Sequence, residues 1–270
     1  MLSVVMSVYY ADDPDHFKDA VDSVFNQTIP PSELVIAVDG PVGVDIQDAL
    51  DEVKILCNVR LLKLKKKLGP GASRHAAIKI CKYDIIAVMD ADDLCDSKRF
   101  ENQLKRFADH KVDVVGAYIE EFDYILGDNP RVRTVPITHN EILERGRWRN
   151  PMNHVTIMFR KRIYKQVGGY NFIRWVEDYD LIHRMFIAGG RFENIPEVLV
   201  YVRCGTKVLA KRRGLDYLRT ELKFLYRMRS SGFLNRAQWI ANSLIRISVR
   251  LMPRTAIGLL YKYLLRSYDK

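Results

Sequence analysis

The sequence predicts an α/β protein whose mostly parallel central sheet is flanked by helices and followed by a basic helical extension. Three observations lead there. Short apolar runs rich in β-branched residues recur through the first half, each followed by a stretch with helical spacing. Two of these runs stop at acidic residues, Asp39-Gly40 and Asp90-Ala91-Asp92-Asp93. Positive charge is concentrated at the other end. Residues 205–270 hold fifteen Lys and Arg against three acids, a local charge of +12 in a chain of net +10, so residues 1–204 carry −2. Strands alternating with helices at this spacing build a parallel sheet covered on both faces.

The elements follow in order. Leu2 to Tyr9 reads as a strand. Asp13-Pro14 reads as a helix cap with Pro at the first helical position, and Phe17, Val21, Val24 and Phe25 repeat with helical spacing up to Asn26. Leu34–Val38 and Val59–Leu64 are the next strands. The glycines of Gly69-Pro70-Gly71 turn the chain into a helix that places Ala76, Ala77 and Ile80 on one face. A strand over 84–89, a helix over 98–108 and a strand over 112–117 complete the regular half.

Beyond Phe122 the pattern mixes short β-like pieces, Arg131–Pro136 and Val155–Phe159, with a helix over 140–145 that Gly146 ends. Gly168-Gly169 is a turn, 177–188 a helix and Val198–Arg203 a strand. From Lys207 the chain reads as helical and cationic. Its apolar stripe is Leu215, Leu218, Leu222, Leu225 and Tyr226, continued by Trp239, Ile240, Leu244, Ile245 and Ile247. Pro253 breaks it, and Ile257, Leu259, Leu260, Tyr263 and Leu264 make a last amphipathic piece beside Arg254, Lys262 and Arg266.

Bulk properties limit the possibilities. At 270 residues and 48% hydrophobic content, a sizeable core fits one large domain or one domain plus an appendage. No apolar run reaches the roughly 18 residues of a membrane span. The opening Met1-Leu2-Ser3-Val4-Val5 lacks the basic region and cleavage site of a signal peptide, so none is expected. Cys57, Cys81, Cys95 and Cys204 show no metal-type spacing and are expected to be reduced structural thiols of a cytosolic protein.

The most informative segment is the strand ending Val88-Met89-Asp90-Ala91-Asp92-Asp93. Three carboxylates within four positions repel each other and resist desolvation unless a cation compensates them. Carboxylate oxygens suit hard divalent ions such as Mg²⁺ or Mn²⁺. The C-terminal end of a parallel strand is where open α/β sheets bind ligands. A metal carrying a phosphorylated substrate is the expected cargo, against the plainer reading of a solvated acidic turn.

Taken together, the strand end Ser7-Val8-Tyr9, the Asp39-Gly40 pair, the loop Gly69 to Arg74, the acidic Asp90–Asp93 cluster, and Gly168-Gly169-Tyr170 followed by Trp175-Val176-Glu177-Asp178-Tyr179-Asp180 resemble, in order and spacing, family 2 glycosyltransferases of the GT-A fold, a Rossmann-like architecture. The resemblance covers residues 1 to about 204 and is strongest to bacterial enzymes that assemble exopolysaccharide and O-antigen repeat units, among them the amylovoran-biosynthesis type. It implies a catalytic domain over 1–204, with a nucleotide-binding half (1–120) and an acceptor half (121–204), and a basic amphipathic extension over 205–270.

The resemblance also implies roles. Asp92 would be a direct ligand of Mn²⁺ or Mg²⁺, and Asp90 a contact to ribose or metal, with the ion acting as a Lewis acid on the leaving diphosphate. Asp93 would orient its neighbours or cap the next helix. Asp39 would pair with the uracil N–H of a UDP-sugar, Ser7 and Tyr9 would line the base, and Arg74 would reach the diphosphate. Asp178 would be the catalytic base that takes the acceptor hydroxyl proton in an inverting transfer, with Asp180 as its rival and Glu177 holding an acceptor hydroxyl or tuning Asp178. Asn153 and His154 would lie on the acceptor side, and Trp175 would stack on a sugar or pack in the core. Many relatives carry a metal-binding His after the last strand; here the segment is Tyr201-Val202-Arg203-Cys204-Gly205, which leaves the metal to the Asp cluster, the diphosphate and water, or the leaving phosphate to Arg203 or Lys207.

The expected activity is transfer of a hexose, galactose or glucose, to a polyprenyl-diphosphate-linked sugar. The cationic tail lacks any nucleic-acid-binding signature. Its interleaved Trp, Leu, Ile and Arg suit peripheral attachment to an anionic membrane, at the inner face of a bacterial inner membrane, or packing on the catalytic domain, or both. Two rival classes remain. A nucleotidyltransferase would need a Gly-rich basic loop after the first strand, where this chain has Tyr9-Tyr10-Ala11-Asp12-Asp13; a nucleic-acid-binding protein would bind random DNA in a salt-dependent way without binding UDP.

Overall fold

A computed structural model describes residues 1–56, 58–171, 173–204 and 214–251. Strands β1 (Leu2–Val8), β2 (Glu33–Val38), β3 (Val59–Lys63) and β4 (Ile85–Asp90) pair in parallel in the order β3-β2-β1-β4. Helices α1 (Pro14–Phe25), α2 (Val44–Lys54) and α3 (Pro70–Ile80) make the crossovers. β2 is buried along its whole length and β1 nearly so, which is why both read as continuous apolar runs rather than alternating ones. Asp13 caps α1 as expected, its carboxylate accepting from the N–H groups of Asp15 and His16.

The second half is mixed. It runs through β5 (Leu94–Cys95), α4 (Arg99–Arg106), β6 (Val114–Phe122), β7 (Arg131–Arg133) and α5 (His139–Gly146). A 3-10 turn at His154–Thr156 leads into β8 (Met158–Arg160), α6 (Lys161–Gln166), α7 (Glu177–Ile187) and β9 (Phe192–Arg203). The sheet order is β3-β2-β1-β4-β8-β6-β9-β5, with β7 on β6. β8 joins β4 and β6 antiparallel, and β6 and β9 are parallel with a bulge near Tyr118. Two hydrophobic layers fill the faces: α1, α2 and α4 cover one, α3, α5, α6 and α7 the other.

Several elements differ from the sequence reading. The strand expected over Val155–Phe159 divides into the 3-10 turn and β8, because Thr156 turns its hydroxyl onto the Asn153 carbonyl and its N–H follows. α2 is an addition to the sequence reading, and Ile46, Ala49, Leu50 and Val53 form its buried face at helical spacing. On α3 the buried face is Gly71, Ser73, Ala77 and Ile78, one step round from the face expected. Arg99 is fully buried and donates to the carbonyls of Val88 in β4 and Val155 in the 3-10 turn, at 2.8 and 3.0 Å, which fixes the two halves of the sheet against each other.

Helices α8 (Leu215–Ser230) and α9 (Arg236–Leu251) close the described chain. The inward face of α8 is Tyr217, Leu218, Glu221, Phe224, Leu225 and Met228, whereas Leu215 and Tyr226 of the expected stripe are exposed. Phe224, Leu225 and Met228 pack with Val176 and Tyr179 at the start of α7. The expected Pro253 break, the piece from Ile257 to Leu264 with Arg254, Lys262 and Arg266, and also Lys207 and Cys57, lie outside the described residues. Cys81 and Cys95 are buried free thiols.

Candidate active site

The parallel register sets the ends of β1, β2 and β4 side by side, with Ser7 opposite Asp90 and Val8 opposite Val38. Asp39 follows β2 and is buried; its two carboxylate oxygens accept from the N–H groups of Leu68 and Gly69 at 2.7 and 2.9 Å. Each oxygen keeps a second lone pair for a ligand. Gly40 must be glycine here: its φ is +88°, and a Cβ would stand 2.7 Å from the Lys67 nitrogen. Ser7 Oγ meets Ser73 Oγ of α3 at 2.6 Å. The Lys67 ammonium lies 4.2 Å from the Tyr9 ring centre and 4.8 Å from that of Tyr10, closing one side of this strand edge.

The acidic cluster behaves as three different groups. Asp90 accepts from the Arg74 guanidinium. Asp92 faces solvent, and its pKa is raised by the surrounding protein and by Asp90. Asp93 is buried and accepts from the Arg203 N–H at 3.0 Å; burial and its two acidic neighbours push its pKa well up. The Arg203 side chain stays at the cluster, donating to the carbonyls of Asp92 and Tyr124 and standing 3.7 Å from Asp19. Asp12, not singled out from sequence, belongs here too. Burial and the charges of Asp92 and Asp90 raise its pKa to about 6, against a hydrogen bond from the Tyr9 N–H and the nearby Lys67.

Among the described residues no three His, Cys, Asp or Glu side chains are grouped so as to hold an ion. The donor set fits a divalent ion only in part. Asp92 is free to ligate, Asp90 is shared with Arg74, and Asp93 points to backbone. An ion here would need diphosphate oxygens and water for the rest of its shell.

A recess of about 230 Å³ opens beside this cluster, lined by Arg74, His154, Trp175, Glu177, Asp178 and Tyr217. Glu177 and Asp178 open α7, whose N-cap Val176 offers no side-chain bond, so their negative charge meets the helix dipole directly. Asp178 accepts from the Tyr179 N–H at 2.7 Å and from the Asn150 amide at 3.0 Å. Glu177 packs against Gly71, where a Cβ would come within 3.2 Å of its Cγ, and its pKa is raised by burial and by Asp178. Arg74 Nε and Glu177 Oε2 are buried with no hydrogen-bond partner in the protein. One unsatisfied polar atom on each of two charged side chains at the wall of the recess marks it for a polar ligand. His154 bonds Tyr170 Oη at 2.7 Å, and burial and Arg74 hold its pKa at about 4, so it stays neutral at physiological pH.

The recess thus gathers Arg74, His154, Trp175, Glu177 and Asp178. Two residues named from the sequence do not line it. Asn153 is buried and its amide is consumed by structure: its oxygen accepts from Arg133 and its nitrogen donates to the carbonyls of Ala117 and Arg133. Asp180, the rival base, is 2% exposed and held by Asn171 and Arg184 at 2.9 and 2.7 Å. Two lining or supporting residues were missed, Asn150 and Tyr217. Asn150 stands in a loop with no motif of its own, and Tyr217 sits in the tail that the charge count set apart.

This sheet, with a carboxylate cluster at its strand ends and an acid pair opening the helix across the recess, is that of a GT-A-fold glycosyltransferase. The chain belongs to the family described as Glycosyl transferase family 2, whose profile matches residues 3–168. It is 33% identical over 97% of its length to the amylovoran biosynthesis glycosyltransferase AmsE of Erwinia amylovora, covering 98% of that protein. It is 30% identical over 98% of its length to an Escherichia coli UDP-Gal:alpha-D-GlcNAc-diphosphoundecaprenol beta-1,3-galactosyltransferase, covering 97% of it. Among solved structures, S. aureus TarS 1–349 in complex with UDP superposes with a TM-score of 0.68 at 15% identity, over 98% of this chain and 75% of that one. The chain spans 46% of a longer TarS structure.

Proposed function

We propose that this glycosyltransferase moves a hexose, galactose or glucose, from a UDP-sugar to a polyprenyl-diphosphate-linked sugar in exopolysaccharide or O-antigen assembly, with inversion at the anomeric carbon. The observation that carries it is Arg74. Its guanidinium binds Asp90 of the strand-end cluster and lines the recess that holds Asp178, so one residue joins a diphosphate site to a base. The names of the similar proteins support the donor and acceptor classes: the E. coli relative uses UDP-Gal and a diphosphoundecaprenol-linked GlcNAc, and TarS has been solved with UDP and with UDP-GlcNAc.

In this reading Asp178 takes the proton of the acceptor hydroxyl as that oxygen bonds to the anomeric carbon. The bond from that carbon to the diphosphate breaks, and UDP leaves. Asn150 holds one oxygen of Asp178, which orients the carboxylate. Arg74 and Arg203 balance the charge that develops on the diphosphate, while Asp39, Ser7 and Tyr9 form the edge for the nucleoside. Neutral His154 and Glu177 offer hydrogen bonds to acceptor hydroxyls. Mn²⁺ or Mg²⁺, held by Asp92 with Asp90, would add Lewis-acid stabilisation to the leaving group when bound.

The acceptor lipid calls for attachment to the inner face of the inner membrane. No helix of the described residues is long and apolar enough to cross a membrane. α9 exposes Ile240, Leu244 and Ile245 among basic residues, and Asn242 and Arg246 bond the carbonyls of Arg147 and Trp148, which brings the exposed Trp148 alongside. That surface supports the reading of a peripheral contact with anionic lipid. Leu244→Glu with Ile245→Glu should cut flotation on vesicles containing anionic lipid several-fold; unchanged flotation would remove the membrane from the scheme. The enzymatic reading is tested by a donor screen that measures UDP release with synthetic diphospholipid acceptors, with and without Mn²⁺. Release from UDP-galactose or UDP-glucose, lost in Asp92→Ala, is expected; release from no UDP-sugar would refute it.

A further inference from the structure

Trp175 has a φ of +72°, a left-handed conformation that a bulky side chain adopts only when its surroundings impose it. It stands two residues before Glu177 and three before Asp178, so its backbone sets the direction from which α7 presents both acids to the recess. The C-terminal helices pack against its ring. The Tyr217 ring of α8 lies 5.1 Å from the Trp175 ring, and the Arg250 guanidinium of α9 covers Tyr217 at 4.4 Å. Arg250 is itself fixed by Glu221, a buried carboxylate that accepts from its Nε and Nη2 at 2.8 and 3.0 Å and from Arg246 at 3.0 Å. On the outer side Arg174 covers the Trp175 ring at 4.5 Å.

We infer that α8 and α9 are a positioning clamp for the active site: the stack Glu221–Arg250–Tyr217–Trp175 holds Trp175 in its left-handed conformation and thereby aims Glu177 and Asp178. The inference rests on the glycosyl-transfer reading for its effect on rate, but the clamp itself is a property of the fold. Arg250 and Glu221 are positioning residues; neither lines the recess, and they act through Tyr217 and Trp175. A basic tail read as a membrane element therefore also belongs to the catalytic apparatus.

The test compares the full-length chain with Arg250→Met and Arg250→Lys, each with Trp175 and with Trp175→Gly. Glycine takes positive φ without a Cβ penalty and so needs no clamp. In Arg250→Met, amide hydrogen exchange over residues 173–180 should rise about tenfold while β1 and β4 amides hold. The kcat at saturating acceptor should fall about tenfold with UDP affinity unchanged, and Arg250→Lys should recover most of it. In the Trp175→Gly background the same change should alter kcat less than twofold. A folded Arg250→Met with wild-type exchange and kcat, or an equal loss in both backgrounds, would overturn the clamp. Should Arg250→Met not fold, Trp175→Ala against Trp175→Gly decides: both lack the ring, the clamp predicts at least fivefold lower kcat for Ala, and equal rates overturn it. If the wild type releases no UDP from any donor, the transferase reading fails, and the exchange measurement still decides the clamp.

Discussion

Arg74 stands between two acidic groups that differ in environment, Asp90 at the strand ends and Glu177 across the recess, and its Nε remains unsatisfied. Its position explains why His154 is neutral despite the acids nearby: burial and the guanidinium outweigh Asp178 and Asp90. Asp12 shows the opposite balance, with a pKa near 6 that burial and the charges of Asp92 and Asp90 impose. The folded value lies above that of the unfolded chain, so the fold binds this proton more tightly. Asp12 therefore favours folding below about pH 4 and costs stability progressively as pH rises to about 6, by roughly 1–2 kcal/mol once solvent screening is allowed for. Asp12→Asn keeps an acceptor for the Tyr9 N–H and removes the charge. Its melting temperature should exceed that of the wild type by a few degrees at pH 7.5, with the difference vanishing by pH 4; equal melting curves at both pH values would contradict the assignment. The sequence hid Asp12 because its partners lie eighty residues away and only the register of β1 beside β4 brings them together.

At the scale of the element, α3 and α7 matter more to each other than either sequence motif suggested. Gly71 reads as part of a turn, yet it sits inside α3, where its missing Cβ admits Glu177. Gly71→Ala should raise helix propensity by about 1 kcal/mol and leave the melting temperature level or higher, while displacing Glu177 and lowering kcat severalfold. Thermal melts and steady-state kinetics on the same sample check the split; kcat equal to wild type would show that Glu177 has room to spare. The strands and the Asp13 cap were legible because local patterning decides them. The division of 155–159 into a turn and a short strand was not, since it depends on Thr156 bonding back to Asn153 and on Arg99 capturing the Val155 carbonyl from another element. Likewise Asn153 looked like a site residue by its neighbour His154, and only the approach of Arg133 and β6 shows its amide already consumed.

At the scale of the whole molecule, the charge count divided the chain at about residue 204, and the packing joins it again. Phe224, Leu225 and Met228 bury against Val176 and Tyr179, and Tyr217 reaches the recess. A chain ending at residue 204 would expose that cluster. It should melt more than 10 °C lower, by the roughly 1.5–3 kcal/mol that each buried large side chain contributes, and it should lose turnover even on a water-soluble acceptor. Full activity of that truncation on such an acceptor would show that the tail serves the membrane alone. The strand-end carboxylates Asp39 and Asp90 were readable because each follows or closes a continuous apolar strand. The recess was readable in part: His154, Trp175, Glu177 and Asp178 stand in motifs, whereas Asn150 lies in a loop without one and Tyr217 on a helix some forty residues beyond Asp178.

The role proposed for Asp178, base of a glycosyl transfer from a UDP-sugar, stands or falls on acceptor-dependent UDP release by the wild type and by Asp178→Asn at saturating donor and acceptor, with UDP affinity measured in parallel. Asp178→Asn should lower kcat about 10²-fold or more, the range of positioned proton transfer, with UDP affinity unchanged. Near-wild-type turnover by Asp178→Asn would contradict it.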